Sequence, residues 1–435
     1  MSRVGGQFER VRHFAGRFLA PGEVNAEWNN WNLYREIAWY GVLSGVTTTF
    51  TSVFALRLGA SNFLMGLLTS LPALVNVVFQ IPAARLVERE PDRRKVLLLS
   101  GLFMRLPALL IIMVPALSRQ AQASAVVCIT ALGTIPAALG NVSFTAMLAD
   151  VVAPHHRARV VSVRNAMLSA ATMSVVLVAG EVLDVVHFPL GYQAIFALAF
   201  LTSLVSLFYL GRVAIPENRA APQTAPGGER FDLRRSIALV RAQPTYSRFL
   251  LGSFLYHWGL HLPIPLYAIY RVRVLHITEG WIGTLAMVES AVTIAAYFAW
   301  GRLAQRRGSR LVLLLGSGLV CLYPFLTALS RSVWPLMFAA IVAGIAAPAL
   351  NLGLFNGLLE VAPVERRATY VAVFNSAMNV AAFVSPLLGT TAAEWIGIRQ
   401  ALFLGGTMRF VGFLAFAYTL TGLRIPPGFL RAERG

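Results

Sequence analysis

A chain of 435 residues with 57% hydrophobic content, 13% charged content and a mean hydropathy of +0.65 lies far outside the water-soluble norm, where about a quarter of residues are charged. The formal net charge of +18 does not point to nucleic acid, because the arginines fall in short clusters between apolar runs and not on one face of a soluble domain. Cys128 and Cys321 each sit inside an apolar run, so a disulfide framework and a zinc site are both excluded, and the two read as packing residues.

In chain order, residues 1–35 come first and contain no apolar core with a small-residue cleavage site of the signal-peptide kind. Phe8, Val11, Phe14 and Phe18 recur at helical spacing among Arg3, Arg10, Arg12 and Arg17. That pattern suits a short helix on an anionic membrane face, and a basic tail without fixed structure fits it as well. Twelve apolar runs follow, each near the 20 or so residues that cross about 30 Å of hydrocarbon. They cover 36–56, 62–84, 95–117, 122–148, 160–182 and 190–211, then 247–270, 279–301, 310–330, 333–358, 368–392 and 399–422. The expected fold class is therefore an all-α membrane protein.

Basic residues alternate between the two sides of these runs. One side collects 29 of the 37 Lys and Arg residues, among them Arg85 to Lys95, Arg157 to Arg164, Arg302 to Arg310 and Arg424 to Arg434. Short cytoplasmic loops gather positive charge, so this side is expected to be cytoplasmic, with both termini on it, in a multi-pass protein of the cell membrane. Between the sixth and seventh runs, Pro216 to Pro244 is rich in Pro, Ala and Gly with mixed charge, as an interdomain linker is. The expected organisation is residues 1–35 as a cytoplasmic segment, 36–213 as a first six-helix bundle, 214–246 as a linker, 247–423 as a second bundle and 424–435 as a tail.

The halves repeat each other. The stretch "DVVAPHHRARVVSVRNAM" from Asp150 matches "EVAPVERRATYVAVFNSA" from Glu360, pairing Asp150 with Glu360, Arg157 with Arg367 and Asn165 with Asn375. A second echo relates "ARLVEREPDRRKVLLLSG", from Ala84, to "WGRLAQRRGSRLVLLLGSG", from Trp300, at nearly the same offset. Two segments repeating in one register indicate a doubled six-helix unit.

On these motifs the sequence resembles the major facilitator superfamily, over all twelve runs and the linker. That family has a loop motif, Gly-x-Leu-Ala-Asp-Arg-x-Gly-Arg-Arg, after its second span and more loosely after its eighth. Gly301, Leu303, Ala304, Arg306, Gly308 and Arg310 keep much of it, with Gln305 at the acidic position. In the first half Leu86, Glu88, Arg89, Arg93 and Arg94 survive, while Ala84 replaces the leading glycine, Glu88 the aspartate, and Glu90 to Asp92 brings an extra residue. The resemblance implies two pseudo-symmetric six-helix bundles and a cytoplasmic charge network of Glu88, Arg93, Arg94, Asp150, Arg157, Arg306, Arg310, Glu360 and Arg367 that biases two alternating states. Ordinary positive-inside topology with incidental surface pairs is the bland alternative.

Ionisable residues at membrane depth are functional candidates by default, since each costs about 2.5–3.5 kcal/mol at a helix centre. Counting along the helices puts Arg105, His257, Glu289 and Arg409 near mid-membrane. The family's first, fourth, seventh and tenth spans line its cavity, and its third, sixth, ninth and twelfth are peripheral. On that basis Glu289, His257 and His261 are candidates for substrate or proton contact, whereas Arg105 and Arg409 are expected to be structural cations within their own bundles. Asn141, Asn351 and Asn356 could bind substrate or join helices, and Pro136, Pro263, Pro265 and Pro348 mark places where helices can bend beside a cavity. Glu181 and Asp184 end the fifth run as Arg271 and Arg273 end the seventh, which suggests an external gate.

No phosphate loop, nucleophile elbow or His-Glu-x-x-His pair occurs, so an ATP-driven pump or a membrane enzyme is not indicated, and no cofactor or metal is expected. The span-four and span-five motifs common in the family's drug–proton antiporters are also missing. The expected function is secondary transport of a small solute by alternating access, coupled to protons, by a monomer in the lipid bilayer with no nucleic-acid partner. The alternative is a transporter-like protein used as an assembly or lipid-handling factor.

Overall fold

A computed structural model describes residues 26–89, 93–152, 154–214, 240, 242–363 and 367–421. Among these, all regular structure is helical. The first half comprises α1 (Ala26–Arg57), α2 (Asn62–Arg89), α3 (Arg93–Phe103 and Leu106–Met113), α4 (Arg119–Val151), α5 (Pro154–Val185) and α6 (Leu190–Gly211). The second comprises α7 (Pro244–His261 and Ile264–Ile269, ending in a π-helical turn, Tyr270–Val274), α8 (Glu279–Arg307), α9 (Ser309–Val320 and Leu322–Leu329), α10 (Val333–Val361), α11 (Arg367–Ile396) and α12 (Ile398–Thr421).

Ten of these helical spans are long and apolar enough to cross a membrane. The two that fall short are α1, diluted by Thr47, Thr48, Thr49 and Thr51, and α7, which is broken at Leu262. In α7 the cause is local, because Pro263 and Pro265 have no N–H to continue the ladder. A comparable break in α3 at Met104 and Arg105 precedes Pro107, and it is not signalled by the apolar count. By contrast α4 and α10 remain helical through Pro136 and Pro348.

The two halves pack alike. In the first, α1 lies on α5 and α6, α2 on α4, and α3 on α4 and α6; in the second, α7 lies on α11 and α12, α8 on α10, and α9 on α10 and α12. The halves meet through α2 against α11 and α5 against α8, two contacts that a two-fold rotation exchanges. At the α5–α8 crossing glycine is a steric requirement: a Cβ on Gly180 would lie 2.8 Å from the Glu279 carbonyl, and one on Gly283 2.6 Å from that of Val176.

Buried apolar residues reveal how the halves are joined. One continuous cluster draws on both, including Val46, Phe50, Phe54, Ile195 and Phe196 with Leu266, Ile269, Ile282 and Leu336, and it occupies the arginine-poor end. At the arginine-rich end the cores are separate: Leu33, Leu97, Met147 and Leu210 in the first half, Tyr246, Phe249, Leu313 and Phe374 in the second. The molecule is thus fused at one end and divided at the other.

Helix α1 starts at Ala26, earlier than the apolar run at residue 36. Its first turns are polar, and they are held because Trp28 Nε1 donates to Arg212 O (3.3 Å), Asn29 Nδ2 to Ala214 O (3.0 Å), and Ala214 N to Asn29 Oδ1 (2.9 Å). Hydropathy marks where lipid ends, whereas hydrogen bonding decides where the helix ends.

Candidate functional site

Beneath the fused end lies a cavity of about 790 Å³, walled by α1, α2, α3, α4, α5, α7 and α8. Its first-half wall is rich in hydroxyls. Several of these already donate to helix backbone, as Thr47 does to Leu43 O (2.8 Å) and Thr134 to Thr130 O (3.1 Å), whereas the hydroxyls of Ser44, Thr48, Thr51 and Ser52 have no partner among the described residues. This explains the low apolarity of α1: its polar stripe faces the void. The second half contributes two ionisable residues, Arg271 of α7 and Glu289 of α8. Glu289 makes no hydrogen bond or ion pair with any described residue, while Arg271 Nη2 donates to Tyr323 Oη at 2.6 Å.

Two buried arginines brace the walls. Arg409 donates Nε to Gly259 O (3.1 Å), Nη1 to Val320 O (3.0 Å), and Nη2 to Leu260 O (2.7 Å) and Tyr267 Oη (3.2 Å). Gly259 and Val320 stand four residues before Pro263 and Pro324, which lack the N–H their carbonyls would otherwise receive. The guanidinium therefore satisfies carbonyls orphaned by proline in α7 and α9. Arg105 donates Nε to Ser203 O (2.8 Å), Nη2 to Ser206 Oγ (2.9 Å) and Nη1 to Gly101 O, a carbonyl freed by the α3 break, and its guanidinium lies 5.8 Å from the ring centroid of the cavity residue Tyr40. Ser206 Oγ in turn donates to Glu36 Oε1 (3.1 Å), and Glu36 Oε2 accepts from Arg164 Nη1 at 2.8 Å, with both side chains under a tenth exposed. Sequence reading missed the Glu36–Arg164 pair because both positions fall near the ends of apolar runs.

The arginine-poor end is closed by polar bonds between the halves. Arg57 at the end of α1 donates Nε and Nη2 to the two carboxylate oxygens of Glu279 in the first turn of α8, at 2.8 and 3.0 Å, and Tyr192 Oη of α6 donates to Glu279 Oε1 at 2.9 Å. Asp184 accepts from Thr278 Oγ1 (2.8 Å) and from Gly280 N (3.0 Å), where it also complements the positive end of the α8 dipole. Arg273 Nη1 donates to Asn62 Oδ1 (2.8 Å) and Nη2 to Ala60 O. Of the four residues expected as an external gate, Asp184 and Arg273 bridge the halves but not to each other. Arg271 turns into the cavity, and Glu181 is exposed beside Gly280. Two positions apart, Arg271 and Arg273 point to roughly opposite sides of the helix end. Arg57, Glu279 and Tyr192 carried no motif that would have singled them out.

The other candidates are dispersed. His257 Nδ1 lies 2.7 Å from Ser253 O of its own helix, and its ring packs on His261 and Phe374; neither histidine is in this cavity's wall. Asn141 and Asn351 are exposed and also outside that wall, while Asn356 Nδ2 donates to Ser309 Oγ (3.1 Å), tying α10 to α9. At the arginine-rich end, Arg94 Nη2 donates to Gly211 O, Arg157 donates to Val152 O (3.3 Å), Asp150 and Arg310 are half-buried, and Arg306 and Glu360 are exposed. The side chains of Glu88, Arg93 and Arg367 lie outside the described residues, as do residues 1–25, nearly all of the linker and the tail from 422.

The profile of the Major Facilitator Superfamily matches residues 38–256 and 249–435, one match for each half. The chain belongs to this superfamily. Among curated superfamily relatives, the multidrug resistance protein MdtG of Proteus mirabilis is 24% identical over 173 residues, 38% of this chain and 41% of that protein. The quinolone resistance protein NorA of Staphylococcus aureus is 24% identical over 175 residues, 40% of this chain and 43% of that protein. The matches to the curated relatives thus span less than half of their lengths. Two solved superfamily folds superpose over nearly the whole chain. A bacterial homolog of the human lysosomal transporter Spinster, inward-facing and unoccupied, gives a TM-score of 0.70 at 14% identity, covering 94% of this chain and 100% of that one. The nucleoside transporter NupG, solved as a point mutant, gives 0.70 at 12% identity, covering 90% and 99%. The twelve-helix, two-bundle superfamily fold is what the sequence motifs implied.

Proposed function

We propose that this protein is a secondary transporter that exposes the cavity between its halves to alternate sides of the membrane, with Glu289 as the proton-carrying group. The observation that carries this reading is the cavity itself, where unpartnered hydroxyls and an unpartnered carboxylate face a void between two bundles fused at one end only. A carboxylate without a protein partner at membrane depth is stable there when it can take up a proton or a ligand. The arginine-rich end is cytoplasmic on this reading, by the positive-inside rule, so the closed arginine-poor end faces outward and the state is inward-facing. Superfamily membership and a cavity that carries hydroxyls and two charged side chains favour a solute carrier over an assembly or lipid-handling factor.

The test is uptake into proteoliposomes across a panel of small solutes, with and without an imposed pH gradient. Glu289→Gln is expected to abolish gradient-driven accumulation while leaving solute exchange at equal pH. Accumulation that persists in Glu289→Gln would remove that residue from coupling, and failure of every solute to move would remove the transport reading.

A further inference from the structure

We propose that Arg271 is an anion-binding residue in the central cavity, so that the transported solute carries a carboxylate, sulfonate or phosphate group. This rests on the transport reading above, and adds a substrate class to it. The protein supplies its own comparison. Buried Arg105 and Arg409 commit all three guanidinium nitrogens to carbonyls and hydroxyls. Arg271, in the cavity wall, commits Nη2 alone, to Tyr323. Its Nε is buried without a partner, and its Nη1 has no partner among the described residues. Buried donors are almost always satisfied, so a guanidinium in a cavity wall with its buried Nε unsatisfied and its Nη1 unengaged is arranged for an acceptor that arrives from outside the chain, received first at Nη1. Arg399 also has a partnerless Nε, but it lies outside the cavity wall and is held on Tyr270 Oη. A guanidinium N–H favours an oxyanion over a neutral acceptor, because the charge-assisted hydrogen bond is the stronger one.

Glu289 does not fill this role, since no Arg271–Glu289 ion pair forms within 4.0 Å although both line the same cavity. Arg271 of α7 and Tyr323 of α9 interact electrostatically with Glu289, Tyr267 of α7 and Tyr40 of α1 line the same cavity, and Arg409 of α12 is hydrogen-bonded to Tyr267. With Arg271 charged and Glu289 ionised the site is neutral. An anion on Arg271 adds a second negative charge in a medium of low dielectric, and a proton on Glu289 restores neutrality. Anion and proton therefore favour each other's binding, and by linkage the effect is mutual.

The experiment uses the full chain purified in detergent, with matched probes: benzoate, benzenesulfonate and phenyl phosphate against benzamide, phenol and benzylamine. Binding is read by thermal shift and by proton uptake in weakly buffered solution. At least one anionic probe is expected to stabilise the protein while its uncharged and cationic counterparts do not. Its affinity should fall roughly tenfold or more in Arg271→Gln and partly return in Arg271→Lys, which keeps the charge but loses the fork. Should Arg271→Gln fail to fold, Arg271→Lys alone decides, because weakened anion binding with an unchanged melting profile is still required. The proposal is overturned if no anionic probe binds, if amide or amine binds as well, or if affinity is indifferent to Arg271. Anion binding that needs Arg271 but takes up no proton supports the anion site and overturns the proton coupling of Glu289.

Discussion

Replacing Glu279 by Gln removes the charged partner of Arg57 and weakens the acceptor of Tyr192 at the one place where α1, α6 and α8 meet. The side chain of Glu279 is 10% exposed and that of Arg57 39%, so the pair lies between two regimes. Exposed pairs contribute about 0.2–1 kcal/mol, and removing one member of a buried pair costs about 3–5 kcal/mol. Discounting for the exposure of Arg57 leaves about 1–2 kcal/mol, all of it on the closed state, because the bonds join opposite halves. This shifts the ratio of the two states roughly 5- to 30-fold, so an alternate state held at about 1% would rise to between about 5 and 25%. Spin labels on exposed Gln120 and Arg331, in a background with Cys128 and Cys321 replaced by Ser, report the separation of the halves at this end. Electron–electron resonance should show a longer-distance population growing in Glu279→Gln, and less growth in Tyr192→Phe, which loses one hydrogen bond. An unchanged distance distribution, or equal widening in Glu181→Gln at an exposed carboxylate nearby, would refute a closing role for the Glu279 bonds.

Other consequences follow from the packing. Gly283→Leu forces a side chain into the Val176 backbone, so the same labels should move apart and solute exchange should fall. Arg409→Met strands the Gly259 and Val320 carbonyls and should destabilise the fold by about 2–4 kcal/mol, seen as a lower melting temperature. Glu36→Gln leaves Arg164 buried without its charge partner and should cost about 3–5 kcal/mol, again read by melting; an unchanged melting point would show the pair to be dispensable.

The architecture was legible because the bilayer imposes length and because the chain repeats itself; apolar runs and the Asp150/Glu360 echo suffice for a doubled six-helix unit. Counting residues singled out Glu289, which lines the cavity, but equally Arg105, His257 and Arg409, which do not. Facing was not legible. In a membrane both the lipid side and the bundle side of a helix are apolar, so nothing in the pattern told that His257 packs on His261 and Phe374 and that neither histidine lines the void. Nor could one sequence pair Arg57 with Glu279, 222 positions apart. Arg271 looked like the basic end of a span, and the π-helical turn it sits in has no sequence signal comparable to proline. The hydroxyl run of α1 was the missed clue: a span that weakens its own hydropathy with threonine is facing water.

On the alternating-access reading proposed above, the shared core at the arginine-poor end gives the equilibrium between the two states a heat capacity. Opening that end must wet apolar side chains such as Phe50, Phe54, Leu266 and Ile282, which the two halves now hide from water together. The free-energy gap between the states is then curved in temperature, and chilling loosens the seam instead of tightening it.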